Sequence, residues 1–486
     1  MQKNIYIIAL LFFLLGCSEE DTKVDQNTTL EKDAKVDQNT TLAEEKSNNP
    51  IEVQKGQKLF NLHCATCHGS GAKGATAPNI VGITAIDIEN EILSNSAMVF
   101  MQGVLNDEDR RVMAVYFDEQ KKYSEEVDEL YALKANLGNK LFDDTILSKN
   151  QTLSCASCHN PERAFIDDRF DTNPVDGALS VGDDGVTLGG RNAPTISYGK
   201  FIPDFLQISD TQFIGGQFWD SRAKNQKEQA KGPVLDHAEM MMPDITTVIN
   251  RIQNSPYKSE FQKLYTETIF NDETKAFDAL ADALAKYEKS KEFAPFDSKY
   301  DRSKLPYYHI DHYEMSEQEK LGYKLFFSDK THCRKCHTTS SETESSIETF
   351  TNSKYENIGI AKNTKALLYK YGNTDTTDLG LGAILKDKQH NGKFKVPTLR
   401  NVAVTSPYMS NGIFKELKTV IRYFNYRAGN PEPINPETGE SWAKPEVNAT
   451  INHEILDTLE PLNETEIEAL ESFLKLLTDK KYEKFL

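Results

Sequence analysis

The spacing of apolar residues along the chain predicts helices. Residues 273–291 and 463–479 place Ala, Leu, Ile and Phe at helical intervals, with charged residues between them. In the segment 315–327, Ser316 is followed three residues later by Glu319, which is the pattern of a capping box at a helix start. Because no succession of alternating apolar and polar segments stands out, the pattern predicts a mainly α protein with long loops.

The first 51 residues depart from this helical pattern. Residues 1–17 contain Lys3, an apolar run and the ending Leu-Leu-Gly-Cys, which predicts a lipoprotein signal peptide with lipid attached to Cys17. Residues 18–51 are polar, lack aromatic side chains and contain KVDQNTTL twice, which is typical of a disordered tether. An ordinary signal peptide or an uncleaved anchor is the alternative. A lipid anchor would hold the protein on the periplasmic side of a bacterial membrane, inner or outer.

Six of the seven cysteines fall in three Cys-x-x-Cys-His patterns. Such a pattern binds haem covalently, because the thiols form thioether links and the histidine is the proximal iron ligand. Zinc binding or thioredoxin-like use of the cysteines is the alternative, and the histidine after every pair argues against it. We therefore expect three covalent haem c groups. Their attachment residues are Cys64, Cys67 and His68; Cys155, Cys158 and His159; and Cys333, Cys336 and His337.

The pentapeptide Gly-x-Lys-Leu-Phe precedes each of these motifs, at residues 56–60, 138–142 and 322–326. An internal repeat of this kind predicts three related domains, each with a helix that leads toward its haem. The predicted haem domains span residues 52–133, 134–310 and 311–486.

Charge and cysteine usage restrict the partners. The formal net charge of −18 argues against nucleic acid and permits a basic redox protein or a neutral quinol. The seventh cysteine is Cys17, so no cysteine is left for a disulfide.

The first haem domain resembles class I cytochromes c in the glycine-rich loop that follows its motif. In that class a methionine near the end of the domain supplies the sixth iron ligand, and a thioether ligand raises the haem potential. The resemblance implies Met98 rather than Met101, because the usual spacing in that class is counted back from the leucine that opens the last helix, here Leu105; Met113 lies inside that helix and is expected in the core. This domain is therefore expected to receive electrons.

The rest of the chain carries a second and more specific resemblance. Seven segments occur in the order CASCHNPERAFID, RNAPTI, FWDSRA, EQAKGPVLDHAEM, APFDSKY, FKVPTLRNVAVTSPYM and LKTVIRYFN. Together they resemble the bacterial di-haem cytochrome c peroxidases and the related MauG-type enzymes, over residues of about 134–480. The resemblance implies that the second and third haem domains form one di-haem unit. With the additional N-terminal domain, the chain resembles the tri-haem quinol peroxidases.

The resemblance implies a distal pocket on the second haem. Glu239 would move a proton between the two oxygens of a peroxide, Gln229 would orient the peroxide, and Pro233 would present an apolar wall without an N–H donor. Trp219 would relay electrons between the second and third haems. A surface glutamate and a core tryptophan are the structural alternatives. His237 is expected to be an ordinary hydrogen-bonded histidine rather than a proton carrier.

A calcium ion between the two haem domains is also implied. Its ligands would be the Asn192 side chain and the backbone carbonyls of Thr405 and Pro407, and ligation by oxygen alone suits calcium. A loop with water in that place is the alternative.

The chain departs from the family pattern at two positions. Many relatives carry a histidine, ahead of the NAPT segment, that caps the second haem iron. Here no histidine lies between His159 and His237, so that iron is expected to be open. Phe424, which cannot bind iron, stands where the sixth ligand of the third haem is expected. The nearby candidates, between which the sequence does not decide, are Tyr423, Tyr426 and Met409.

Three functions are compatible with these features. A peroxidase would reduce hydrogen peroxide to water with electrons that pass from the first haem to the third and through Trp219 to the second. A MauG-like enzyme would use peroxide to oxidise aromatic side chains of a partner protein, and a multi-haem electron carrier would have no chemistry of its own. The N-terminal haem favours the peroxidase, because a peroxidase needs two electrons per turnover. The electron donor, a quinol or a small cytochrome c, is left open.

Overall fold

The computed structural model describes residues 50–65, 88, 105–339, 347–430 and 432–486. In these residues the chain is mainly helical, which confirms the predicted fold class. Several residues named by the sequence analysis lie outside the described residues. They are Cys17, Cys67, His68, Met98 and Met101.

The chain divides into two compact units, residues 1–120 and 121–486. The helices, numbered in chain order, are α1 (Pro50–His63), α2 (Asp107–Asp143), α3 (Cys155–Cys158), α4 (Gln226–Leu235), α5 (Ile245–Gln253), α6 (Lys258–Leu264), α7 (Glu273–Tyr287), α8 (Lys299–Ser303), α9 (Glu317–Phe326), α10 (Cys333–Cys336), α11 (Thr364–Tyr371), α12 (Leu381–Leu385), α13 (Leu417–Arg427), α14 (His453–Leu456) and α15 (Glu464–Lys475). Through the described part of the chain, no helix is both long and apolar enough to cross a membrane.

The strands are short and form two antiparallel pairs in the described residues. Strand β1 (Leu206–Ser209) pairs with β2 (Gln212–Ile214), and β3 (Tyr355–Glu356) pairs with β4 (Phe394–Lys395). In the second pair Tyr355 lies opposite Lys395. Strand β4 therefore places Lys395 in the interior of the larger unit, where its side chain is buried.

The helices predicted from sequence are present. Helix α7 covers most of the segment 273–291, and α15 covers most of 463–479. At the start of α9 the Ser316 side chain accepts the Glu319 N–H at 3.3 Å, and the Glu319 carboxylate accepts the Ser316 N–H at 2.7 Å. The predicted capping box is therefore confirmed, and it satisfies two backbone donors that the helix itself leaves without partners.

The glycine of each Gly-x-Lys-Leu-Phe repeat lies at a close contact between two helices. A methyl group at Gly56 on α1 would lie 2.1 Å from the Val112 carbonyl oxygen of α2. At Gly138 on α2 it would lie 2.0 Å from the Ala283 oxygen of α7. At Gly322 it would lie 1.9 Å from an oxygen of α15. Glycine is required because the backbones approach too closely for any Cβ.

The phenylalanine that ends each repeat is the buried anchor of a core. Phe60, Phe142 and Phe326 are 0%, 0% and 1% exposed. Phe142 belongs to an apolar core around α4, α5 and α7, and Phe326 belongs to another around α9, α13 and α15. The repeat thus fixes the helix that precedes each haem motif by one close backbone contact and one buried ring.

Replacement of Gly322 by Ala tests the close contact. Alanine favours helix by about 1 kcal/mol, but the clash with the backbone of α15 forces the helices apart, so we expect a net loss of about 1–3 kcal/mol in the free energy of unfolding. Denaturant unfolding of the haem-loaded protein measures it. Lys324→Ala is the control, because Lys324 is exposed on the same helix and should stay within about 0.5 kcal/mol of wild type. Equal stability of Gly322→Ala and wild type would contradict the contact.

Candidate active site

Two cavities in the larger unit adjoin the second and third haem motifs. The first, of about 570 Å³, is lined by Cys158 and His159 among others. The second, of about 280 Å³, is lined by Cys333, Cys336 and His337 among others. Each predicted haem motif in this unit therefore faces its own internal space.

The proximal histidine of the first cavity is held in one tautomer. His159 Nδ1 lies 3.1 Å from the carbonyl oxygen of Phe165 and must carry the proton to donate there. Phe165 is completely buried and stacks on Phe293 at a centroid distance of 4.2 Å, so the acceptor is rigid. Burial lowers the pKa of His159. The ring is therefore neutral, with its Nε2 lone pair available to a metal.

His337 repeats this arrangement in the second cavity. Its Nδ1 lies 3.0 Å from the carbonyl oxygen of Phe350, which is also fully buried. Burial lowers the pKa of His337 to about 4. The two histidines are thus prepared in the same way, by a backbone acceptor that a buried aromatic residue holds in place.

The donor set fits a covalently attached haem at both cavities. Burial raises the pKa of Cys155, Cys158, Cys333 and Cys336, as expected of thiols that face an apolar interior rather than a hydrated metal. A trailing histidine with an available Nε2 completes each set. Of the attachment residues of the first haem motif only Cys64 is described; it directly follows α1, is buried, and its N–H donates to the Phe60 carbonyl.

The predicted distal residues meet in the first cavity. Gln229 and Pro233 are separated by one turn of α4 and share a face, and both line the cavity that His159 lines. The helix is capped by the Asn225 side chain, which accepts the Glu228 N–H at 3.1 Å. Pro233 lies inside the helix, and its carbonyl accepts the N–H of Met240, which follows the helix, at 3.1 Å. That bond turns the following loop back toward the cavity.

Glu239 lies on that loop and lines the same cavity. Its carbonyl accepts the Asp183 N–H at 2.8 Å, and its own N–H donates to Asp236 at 3.2 Å. Burial, reinforced by the negative charge of Asp236, raises the pKa of Glu239 to about 7, against the opposing effect of Arg222 and Lys370. A carboxyl group with such a pKa exchanges protons readily near neutral pH.

Two of the cations that line this cavity, Arg222 and Lys370, lower the pKa of Glu239 and were not predicted from sequence. Lys370 is on α11, its Nζ donates to the Gly189 carbonyl at 2.7 Å, and burial lowers its pKa. No local motif connects Lys370 with Glu239, because they are far apart in sequence. His237, in contrast, has a side chain that is 96% exposed, and it does not line the cavity.

Trp219 borders both cavities. Its indole N–H donates to the Asn192 carbonyl at 2.9 Å, and its own carbonyl accepts the Lys395 N–H at 2.9 Å. The indole and the backbone of Trp219 are therefore each held by one hydrogen bond. The role of Trp219 as an electron relay stays a prediction.

Of the three candidates for the sixth ligand of the third haem, only Met409 lines the second cavity. Phe424, which cannot bind iron, lines it as well. Tyr423 does not, because its hydroxyl donates to the Gly359 and Ile358 carbonyls at 2.6 and 2.9 Å. Tyr426 stacks on Trp442, also away from the cavity. Neither tyrosine therefore lines the cavity that would hold the third haem.

The residues expected to bind calcium lie on adjoining segments. The Asn192 N–H donates to the Ser410 carbonyl at 2.9 Å, and its side-chain amide donates to Ala178 at 3.4 Å. Thr405 and Pro407 lie a few residues before Ser410, on the same turn. The described residues contain no group of three or more His, Cys, Asp or Glu suited to a metal, but an amide and two carbonyls would not form such a group. The calcium site therefore stays a prediction.

A second buried carboxyl group was also missed by the sequence analysis. Glu288 follows α7, is 8% exposed and lines the first cavity. Burial raises its pKa to about 8. Nothing in the sequence around Glu288 distinguishes it from the exposed glutamates of other helix ends.

Comparisons with known proteins agree with this geometry. Residues 132–305 match the family model described as "Di-haem cytochrome c peroxidase", and residues 53–131 match the model described as "Cytochrome c". The methylamine utilization protein MauG of Paracoccus denitrificans is 43% identical over 357 residues, which are 72% of this chain and 90% of that protein.

More distant relatives include peroxidases. The cytochrome c peroxidase Ccp of Escherichia coli is 29% identical over 304 residues, which are 62% of this chain and 55% of that protein. Among solved structures, the diheme peroxidase BthA from Burkholderia thailandensis has a TM-score of 0.61 at 26% identity. That alignment covers 72% of this chain and 86% of the other.

The elevated pKa of Glu288 predicts a stability difference that depends on pH. A buried carboxyl group whose pKa is raised on folding contributes fully to stability below its unfolded pKa, and this contribution is lost as the pH rises through about 8. At pH 8.5 we therefore expect Glu288→Gln to be more stable than wild type, by on the order of 1–3 kcal/mol. The difference should disappear near pH 4. Denaturant unfolding across this pH range measures it, with the exposed Glu267→Gln as control; a difference independent of pH would contradict the argument.

Proposed function

The chain belongs to the di-haem cytochrome c peroxidase and MauG family, and on this basis we propose that it reduces hydrogen peroxide to water. The observation that carries the proposal is the first cavity, where Glu239, Gln229 and Pro233 face the space next to His159. Two electrons and two protons are consumed for each peroxide, and two water molecules are formed. The second haem, attached at Cys155 and Cys158, would be the site of the reaction.

Bound haem would supply the redox-active iron at which the O–O bond breaks. The residues of the chain handle the protons. Glu239, with a pKa of about 7, takes the proton from one peroxide oxygen and returns it to the departing oxygen. The Gln229 amide donates a hydrogen bond that orients the peroxide. Pro233 adds no N–H that could compete, so the proton path passes through Glu239.

Arg222 and Lys370 adjust this proton transfer. In their absence, burial and Asp236 would raise the pKa of Glu239 further. The two cations offset part of that effect. They keep Glu239 able both to accept and to release a proton in one turnover.

The second haem would be open in the oxidised protein. No histidine occurs between His159 and His237, and His237 is exposed to solvent. A capping side chain from the usual loop is therefore missing. Peroxide could bind without prior reduction of the third haem.

Electrons would enter at the N-terminal cytochrome c domain, pass to the third haem and reach the second through Trp219. The position of Trp219 on the border of both cavities supports the last step. The donor would be a quinol or a small cytochrome c. A lipid on Cys17 would place the protein on the periplasmic side of a membrane, and one calcium ion at Asn192, Thr405 and Pro407 would join the two haem domains.

A second candidate is the oxidation of aromatic side chains in a partner protein. The 43% identity with MauG favours it, as does the missing loop histidine. Such an enzyme takes its electrons from the partner protein and has no need of an electron-input domain. The cytochrome c domain at residues 53–131 therefore favours the peroxidase over the oxidation of a partner protein.

Steady-state peroxide turnover with a quinol and with reduced cytochrome c, measured in parallel, tests the proposed reaction. We expect Glu239→Gln to lose about 10²–10⁴-fold in turnover, because the glutamine cannot transfer a proton. Wild-type turnover should fall as the pH drops below about 7, where Glu239 becomes protonated, and the variant should lack this step. The control is His237→Gln, a nearby exposed position. Absence of turnover with both donors would contradict the peroxidase and favour oxidation of a partner protein.

The electron route is tested by separate variants. Trp219→Phe should slow reduction of the second haem after the third has been reduced, as followed by stopped-flow absorbance, because phenylalanine is harder to oxidise than tryptophan. Trp442→Phe changes the other tryptophan of the chain, which packs against Tyr426, and should leave the rate unchanged. His68→Ala should lower donor-dependent turnover. Unchanged turnover in His68→Ala would exclude the first haem from the route.

A further inference from the structure

Lys395 is a buried lysine at the junction of the two haem cavities. It is 8% exposed and lines both cavities. Its backbone N–H donates to the Trp219 carbonyl at 2.9 Å, and its Nζ donates to the Gly216 carbonyl. The residue therefore contacts the segment that carries the tryptophan at two points.

The charge of this lysine lacks a carboxylate partner among the described residues. The carboxylate that acts on it most strongly is Asp220, but Asp220 is already bound by Arg191 at 2.6 Å and by Arg222 at 3.1 Å. The other lysine that lines the second cavity, Lys330, pairs with Glu466 at 2.6 Å. Unlike Arg191, Arg222 and Lys330, Lys395 has only a backbone carbonyl as hydrogen-bond acceptor of its side chain among the described residues.

A buried ammonium group without an anion is costly, and proteins usually pair or neutralise it. In agreement, burial lowers the pKa of Lys395 to about 7. An alkyl side chain of similar length could have filled the same volume without this cost. The presence of a lysine therefore indicates that an anion belongs next to Nζ, and the space next to it consists of the two cavities that fit haem. Haem c carries two carboxylate groups of its own.

We propose that Lys395 binds a carboxylate of a haem at the junction of the two cavities and so sets the reduction potential of that haem beside Trp219. The proposal rests on the haems of the proposed function, and it does not depend on which substrate the enzyme oxidises or reduces. Lys395 is a positioning residue, since it acts through the haem carboxylate and through the Trp219 segment. Either haem could supply the carboxylate, and the potentials measured below distinguish them.

The test is a reductive titration of the haem-loaded protein that resolves the midpoint potentials of all three haems, of which only the second and third would adjoin Lys395. Lys395→Met removes the charge and keeps the length of the side chain. Loss of a nearby positive charge destabilises the reduced iron, so we expect the reduction equilibrium of one haem to weaken about tenfold. For a one-electron couple this is a fall of 59 mV in its midpoint potential. The haem that shifts is the one whose carboxylate Lys395 binds.

Two variants serve as controls. Lys395→Arg retains the charge and should keep both potentials near their wild-type values. Lys393→Met makes the same change of charge two residues earlier, at a position that lines neither cavity, and should also leave them unchanged. If Lys395→Met fails to load haem and Lys395→Arg restores the loading, the result also supports binding through charge.

Three outcomes would overturn the proposal. They are unchanged potentials of both haems in Lys395→Met, equal shifts in Lys395→Met and Lys395→Arg, and loss of haem loading in both. In the last two cases the side chain would serve packing rather than charge. These readouts are independent of peroxide turnover. If the midpoint potential of one haem falls in Lys395→Met while the wild-type protein does not reduce peroxide, the proposal for Lys395 stands and only the peroxidase is rejected.

Discussion

The two cavities of the larger unit share one wall, which includes Trp219 and Lys395, and any transfer of electrons between the two cavities would have to cross it. Trp219 is held in it through its indole N–H by Asn192 and through its carbonyl by Lys395. Both are directional hydrogen bonds to buried residues, where an unmade bond would be expensive. Because one partner precedes Trp219 and the other comes from strand β4, far along the chain, Trp219 takes this position only when the larger unit is assembled.

The proximal histidines reach the two sides of this wall by the same means. In each haem domain of the larger unit, a helix is pressed against its neighbour at a glycine, and the ring that ends the repeat is buried. The haem motif follows a few residues later, and its histidine donates to the carbonyl of a buried phenylalanine. The helix contact at the glycine, the buried ring and the tautomer of the histidine are therefore linked. If a methyl group added at the glycine displaced the helix, the displacement would be transmitted toward the histidine.

Much of this arrangement could be predicted from sequence, because it depends on local patterns. The haem motifs, the capping box at Ser316 and the helices around residues 280 and 470 are each contained within a short segment. Gln229 and Pro233 share a helix face, which a spacing of four residues predicts. Lys370 and Lys395 could not be predicted in this way. Each gains its role from burial beside residues far away in sequence, and an isolated lysine usually indicates a solvated surface.

The chemistry proposed for Glu239 and the charge of Lys395 follow from one physical condition, the low polarity of the space that the haems would occupy. The same burial that raises the pKa of Glu239 toward neutrality lowers the pKa of Lys395 toward it. A solvated glutamate would be ionised at pH 7, and a solvated lysine would be fully charged, with no need for a partner. In a dry interior both groups respond strongly to one additional charge. A haem carboxylate placed at the shared wall would therefore stabilise the charged form of Lys395, and proton transfer at Glu239 would remain under the control of Arg222 and Lys370.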